Sequence, residues 1–117
     1  VNTVVTPSVV YDGTYTVNAN GSHNYVLAFN IIDNNIEARD FTINADTGSA
    51  QINDRVVLMF KVTDPKGPHH VTCHLSNEFY YTACGGKVTT IRISEFERMV
   101  VEFFYDGEKY VNTYDNC

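Results

Sequence analysis

The sequence predicts an all-β domain, a sandwich or a barrel. Three observations predict it. Turn signals recur at short, even intervals: Asp12-Gly13, Asn20-Gly21, Asp33-Asn34-Asn35, Asp46-Thr47-Gly48, Asp64-Pro65-Lys66-Gly67-Pro68, Gly85-Gly86 and Asp106-Gly107. The runs between them are rich in Val, Ile, Thr, Tyr and Phe, the side chains that pack on a pleated surface. Those runs alternate between apolar and other residues with a period of two, and evenly spaced runs of this kind build sandwiches and barrels.

Each strand follows from its alternation. Tyr25, Leu27, Phe29 and Ile31 alternate with Val26, Ala28 and Asn30. Phe41, Ile43 and Ala45 alternate with Thr42 and Asn44. In 56–63, Val56, Leu58, Phe60 and Val62 point one way, and Val57, Met59, Lys61 and Thr63 the other. A strand with one apolar and one mixed face packs a core on one side and meets solvent or ligand on the other. Thr89, Ile91 and Ile93 alternate with Thr90, Arg92 and Ser94. Ser94-Glu95-Phe96-Glu97 has capping-box form but runs into a strand, so it predicts a single helical turn at most. Met99–Tyr105, Asp106-Gly107 and Glu108–Tyr114 read as a hairpin. Asp-Gly between alternating runs suits a type I′ turn, whose two central residues both need positive φ.

Length and charge bound the function. The 117 residues make one domain, residues 1–117, large enough to bury a core without a metal or a disulfide. The net charge is −6, and the eight Lys and Arg are scattered singly. Phosphate binding needs grouped cations, so nucleic acid is not an expected partner. No run approaches the ~18 apolar residues of a membrane span. The start, Val1-Asn2-Thr3, shows no basic region followed by an apolar core, so no signal peptide is visible there. Without an initial Met, the chain is expected to be a processed form or a piece of something longer.

Cys73, Cys84 and Cys117 are an odd count, so at most one internal bridge forms. Cys73 and Cys84 flank a stretch that would fold back as a hairpin, which makes them the candidate disulfide. Three free thiols in a reducing compartment is the alternative. A bridge implies a secreted or extracellular chain, and reduced thiols a cytoplasmic one. Asn20-Gly21-Ser22 is a glycosylation sequon in a turn, relevant if the chain is secreted.

Little points to catalysis. There is no Gly-x-Ser-x-Gly, no Cys-His pair with an orienting group and no Gly-rich phosphate loop. Glu95, Glu97 and Glu102 read as solvating charge. His69-His70-x-x-Cys73-His74 has no second cluster to complete four zinc ligands, so these read as loop and surface histidines. The expectation is a non-enzyme with no metal and no cofactor.

Several segments, in order, resemble the carbohydrate-recognition domain of galectins. Phe41-Thr42-Ile43-Asn44-Ala45 is similar to the family's Phe-x-Ile-Asn-Leu. Residues 54–63 resemble its sugar-binding strand in length and apolar pattern, and Val71-Thr72-Cys73-His74 is close to its Val-x-Cys-Asn. Tyr81 stands seven residues after His74, where galectins place a Trp. The segment 99–107 resembles the family's final hairpin, and Tyr25–Ile32 the strand before Phe-x-Ile-Asn. The likeness covers most of residues 25–114. It implies a two-sheet antiparallel β-sandwich of jelly-roll type, with the extra segment Val4–Val17 filling a gap in the sheet.

The resemblance also carries a site. The sugar-binding His, Asn and Arg become Met59, Lys61 and Thr63. The second Asn becomes His74 and the stacking Trp becomes Tyr81, while the family's Glu and Arg beyond it fall near Cys84 and Gly86 and are lost. Met59 offers no useful hydrogen bond and Thr63 cannot fork like Arg, so ordinary galactose binding is not expected. The resemblance then implies a lectin with altered glycan preference, binding glycan or glycoprotein through Met59, Lys61, Thr63, His74, Ser76, Asn77, Glu78 and Tyr81. A second reading is a structural or protein-interaction module that has lost sugar binding and pairs through exposed apolar residues, for instance as a homodimer. A third is a small barrel carrying an apolar ligand.

Overall fold

A computed structural model describes residues 2–7, 13–32, 39–63, 71–83, 85–93 and 98–112. They are all β. In chain order the strands are β1 Asn2–Val5, β2 Gly13–Asn18, β3 Asn24–Ile32, β4 Arg39–Asp46, β5 Arg55–Thr63, β6 Val71–Leu75, β7 Phe79–Ala83, β8 Gly86–Val88, β9 Thr90–Arg92, β10 Arg98–Tyr105 and β11 Tyr110–Asn112. They form a seven-stranded sheet, β1-β3-β5-β10-β11-β7-β8, and a four-stranded sheet, β2-β4-β6-β9. The two are arranged as the layers of a sandwich. The expected helical turn at 94–97 lies outside the described residues.

The sheets are mixed, which corrects the antiparallel expectation. β1, β3 and β5 pair in parallel in one sheet, and β2, β4 and β6 pair in parallel in the other. The chain steps from one sheet to the other at every strand from β1 to β7. Consecutive strands therefore face each other across the core instead of pairing edge to edge. Each return from β3 to β6 comes one strand further along and in the same direction, which makes the pair parallel, whereas β7 returns at the far side of its sheet beside β11. The segment 4–17 supplies an edge strand to each sheet. Antiparallel pairing dominates later in the chain: β5 with β10, β10 with β11, β6 with β9 and β7 with β8.

Two turns were legible. Asn20 and Gly21 have φ of 45° and 87°, and the Ser22 amide donates to the Ala19 carbonyl at 2.7 Å. Both central residues are left-handed, as a type I′ turn requires, yet this turn links the two sheets rather than closing a hairpin. The β10–β11 hairpin forms as expected but with a different turn. Tyr105 pairs with Tyr110, and the Asp106 amide donates to the Lys109 carbonyl at 2.9 Å. Gly107 (φ 103°) is thus the first central residue, the type II′ position for glycine, and Asp106 is not left-handed.

Alternation decides the core. Leu27, Phe29 and Ile31 of β3, Val56, Leu58, Phe60 and Val62 of β5, and Val101, Phe103 and Tyr105 of β10 point inward. Phe41 and Ile43, Val71, Cys73 and Leu75, and Ile91 meet them from the four-stranded sheet. Tyr15, Phe29, Phe41 and Phe60 form one aromatic cluster, with Phe29 and Phe60 stacked at 5.4 Å. Phe79, Tyr81, Phe103, Tyr105 and Tyr110 form another at the far end. The described strands form two separate sheets around a side-chain core, where the barrel reading expected one closed sheet.

Candidate functional site: the outer face of the seven-stranded sheet

The expected register of β5 holds for its described side chains. Met59 and Lys61 are exposed on the outer face, while Val56, Leu58, Phe60 and Val62 are buried. Val57 also faces outward but is only 5% exposed. The side chain of Thr63 lies outside the described residues.

The rest of the expected sugar site is not brought together. His74 is on β6, in the other sheet. Val71, Cys73 and Leu75 point inward from β6, so His74 looks out from the opposite side of the sandwich to Met59 and Lys61. There its Nε2 lies 3.6 Å from Asp40 Oδ2. Tyr81 is a correction: it is 4% exposed, packed against Phe103 at 6.2 Å, and cannot offer its ring to a sugar. Its neighbour Tyr80 is the outward tyrosine, 39% exposed, with Lys87 Nζ 5.7 Å from its ring centroid. Burial pushes the Tyr81 hydroxyl to a higher pKa.

Ser76, Asn77 and Glu78 form the turn that carries the chain from one sheet to the other. Glu78 Oε1 accepts from Ser76 Oγ at 2.7 Å and from the Ala45 amide at 3.2 Å. The Glu78 carbonyl accepts from the Tyr110 amide at 2.8 Å, and the Asn77 carbonyl accepts from Lys109 Nζ at 2.7 Å. These groups stitch β4, β7 and β11 together.

Cys73 corrects the disulfide expectation. It is a free thiol, fully buried on the inner face of β6, and desolvation raises its pKa well above the usual thiol range. β6 and β7 lie in different sheets, so no hairpin brings the two cysteines together. Cys84 and Cys117 lie outside the described residues, as do His69 and His70. Asn20 is exposed at its turn, while Ser22 of the same sequon is buried and donates from Oγ to the Asn24 carbonyl at 2.8 Å.

The structure instead sets Met59 and Lys61 among different neighbours from those the resemblance implies. Ala28 of β3, Met59 of β5 and Val100 of β10 stand side by side in register on the outer face. Val4, Val26 and Val57 form a parallel apolar row beside them. Asn30, Lys61 and Arg98 make the next row on the other side. A groove of about 560 Å³ opens over the Ala28–Met59–Val100 row, walled at the end of β1 by Thr6 and Pro7. On the far side of the face, Arg55 Nε donates to Glu102 Oε2 at 2.6 Å. That cation is compensated. Among the described residues, Lys61 and Arg98 have no ion-pair partner.

Neither a protein-family model nor a curated protein matches this chain. The reading of its function therefore rests on its own surfaces.

Other polar groups serve the scaffold. Asp54 is buried; its Oδ1 lies 2.7 Å from His23 Nδ1, and its Oδ2 accepts from the Gln51 amide at 2.9 Å. The Tyr105 amide donates to the Asp54 carbonyl at 2.8 Å. The carboxylate ties the turn before β5 to the turn before β3, and the backbone carbonyl of the same residue ties it to β10. An Asp-oriented His also suits general-base chemistry. The adjacent Ser22 hydroxyl donates to the Asn24 carbonyl. Among the described residues no group of three or more His, Cys, Asp and Glu could hold a metal ion, and no helix is long and apolar enough to cross a membrane.

The groove residues Ala28, Asn30, Arg98 and Val100 were missed in the sequence. The strand and face of Ala28 and Asn30 and the strand of Val100 were readable, Arg98 fell outside the run read as 99–105, and which strands lie beside β5 was not readable. The cross-strand register is what turns two isolated basic residues into a pair.

Proposed function

We propose that the chain is a non-catalytic protein-interaction module that docks its partner on the outer face of the seven-stranded sheet. One observation carries this reading. Of the five exposed large apolar side chains among the described residues, Val4, Met59, Tyr80 and Val100 share that single face. Exposed apolar side chains gathered on one face of a folded domain mark an interaction site. The outer face of the four-stranded sheet offers a contrast, being built from Thr14, Thr16, Thr42, Thr72 and His74.

The test is affinity capture with the wild-type chain and with a Val4→Asp/Val100→Asp variant, alongside a glycan array. Both positions are well exposed, so the variant should fold. The reading expects a captured protein that the variant loses, and a flat array. A glycan bound equally by both chains, with no protein captured, would contradict it.

Glycan binding is a second reading, favoured by the hydroxyl-rich face of the four-stranded sheet. There Thr42 pairs with His74, Thr16 Oγ1 donates to Asn44 Oδ1 at 2.6 Å, and Asp40 sits near His74. A glycan hit abolished by His74→Ala would select it.

A further inference from the structure

The row Asn30–Lys61–Arg98 bears a physical cost that no carboxylate among the described residues offsets. Lys61 and Arg98 are directly opposite each other on β5 and β10. Like charges directly opposite on paired strands are destabilising. The chain is acidic overall, at −6, with only eight Lys and Arg, yet two of them meet here. Neither has a counter-ion among the described residues. One step down the strands, about 7 Å away by strand geometry, the apolar row Ala28–Met59–Val100 floors the groove. Its 560 Å³ falls in the size range of small-ligand sites.

We infer that this groove binds a small aliphatic carboxylate, its chain over Ala28, Met59 and Val100 and its carboxylate between Lys61 and Arg98. The anion supplies the negative charge that no described residue gives the cation pair, and charge-assisted hydrogen bonds to both side chains fix its orientation. The aliphatic chain covers Met59 and Val100, which otherwise face water. Each part of the ligand answers one part of the site. A neutral chain leaves the cation pair uncompensated, and a cationic amphiphile is repelled. The site goes beyond the docking reading and does not depend on it, since it needs only the groove and the two cations.

The chain carries its own reporters. Its two methionines, Met59 and Met99, both line the groove. With ¹³C-methyl methionine, the exposed Met59 reports on the groove directly, and Met99, packed against the core beside it, reports on the groove's inner wall. The probes are octanoate, 1-octanol and octylammonium, which share a tail and differ in head group. Octanoate should shift the Met59 signal saturably, at least tenfold more tightly than octanol, and octylammonium should not bind. Octanoate binding should weaken as salt rises, because surface charges are screened. Lys61→Glu/Arg98→Glu should reverse the order, favouring octylammonium. Lys61→Gln and Arg98→Gln singly, checked by thermal melting, keep the test valid if the double variant does not fold. Equal affinity for octanoate and octanol would overturn the role of the cations. Methionine signals unmoved by all three probes would overturn the site altogether, while leaving the capture experiment to judge protein docking.

Discussion

The four-stranded sheet turns Thr14, Thr16, Thr42, Thr72 and His74 toward water, and the seven-stranded sheet turns Val4, Val26, Met59 and Val100 the same way. Both inner faces are apolar, so both sheets satisfy the core equally. The difference lies in the residues that folding leaves free. Threonine gives an outer face that is hydrated and retains β-propensity. Valine and methionine there add little to the fold and leave apolar area in contact with water, which disfavours that surface by roughly 25 cal/mol per Å². Where a scaffold keeps such a face beside a polar one of the same pleat, the apolar side is the one shaped for contact.

The sharpest break between inner and outer faces lies within a single dipeptide. Tyr81 is in the core and Tyr80 is outside it. Tyr81→Ala should destabilise the fold by about 3–5 kcal/mol in denaturant unfolding, as large aromatic truncations in a core do. Tyr80→Ala should cost no more than about 1 kcal/mol, the loss of a surface cation–π contact with Lys87. Equal effects would mean that the register of β7 is wrong.

A smaller effect tests the packing of the second aromatic cluster. Tyr110 is fully buried, and its hydroxyl has no hydrogen-bond partner among the described residues. Burial, and then the charge of Asp54, push its pKa up to about 12. An unpartnered buried hydroxyl is a liability, so Tyr110→Phe should leave stability unchanged or raise it by up to about 1 kcal/mol. A clear loss in the same unfolding assay would show that the hydroxyl is satisfied.

The smallest effect belongs to the exposed hairpin turn. Asp106 Oδ1 accepts from the Lys109 amide at 2.7 Å and the Glu108 amide at 2.8 Å. These bonds, that of Lys109 first, hold the carboxyl below its usual pKa. With the folded value lowered, the contribution is complete above the ordinary Asp pKa and fades as pH falls through the folded value. Thermal melts across acidic pH should show a slight extra loss in the wild type that Asp106→Asn removes. Parallel pH curves for the two proteins would contradict the turn geometry.

Much of the fold was legible. The alternation of β3, β4, β5 and β9 gave the right inner faces, and Asp106-Gly107 gave the right hairpin. Pairing was not legible, because a period of two says which way a side chain points and nothing about which strand lies alongside. Parallel neighbours have no local turn between them to betray the partner. The sugar site failed for the same reason. Placing His74 beside Lys61 needs β6 next to β5, and the chain sends β6 to the other sheet. Tyr81 failed on a signal that was present, since Phe79 and Tyr81 share one face of β7 and both belong in the core.

The account turns on the neighbours of β5. Interstrand NOEs from Met59 test it most directly. Backbone contacts to Ala28 on one side and Val100 on the other are the predicted result, with none between β5 and β6. Contacts between β5 and β6 would put His74 back beside Lys61 and contradict the separation of the two outer faces.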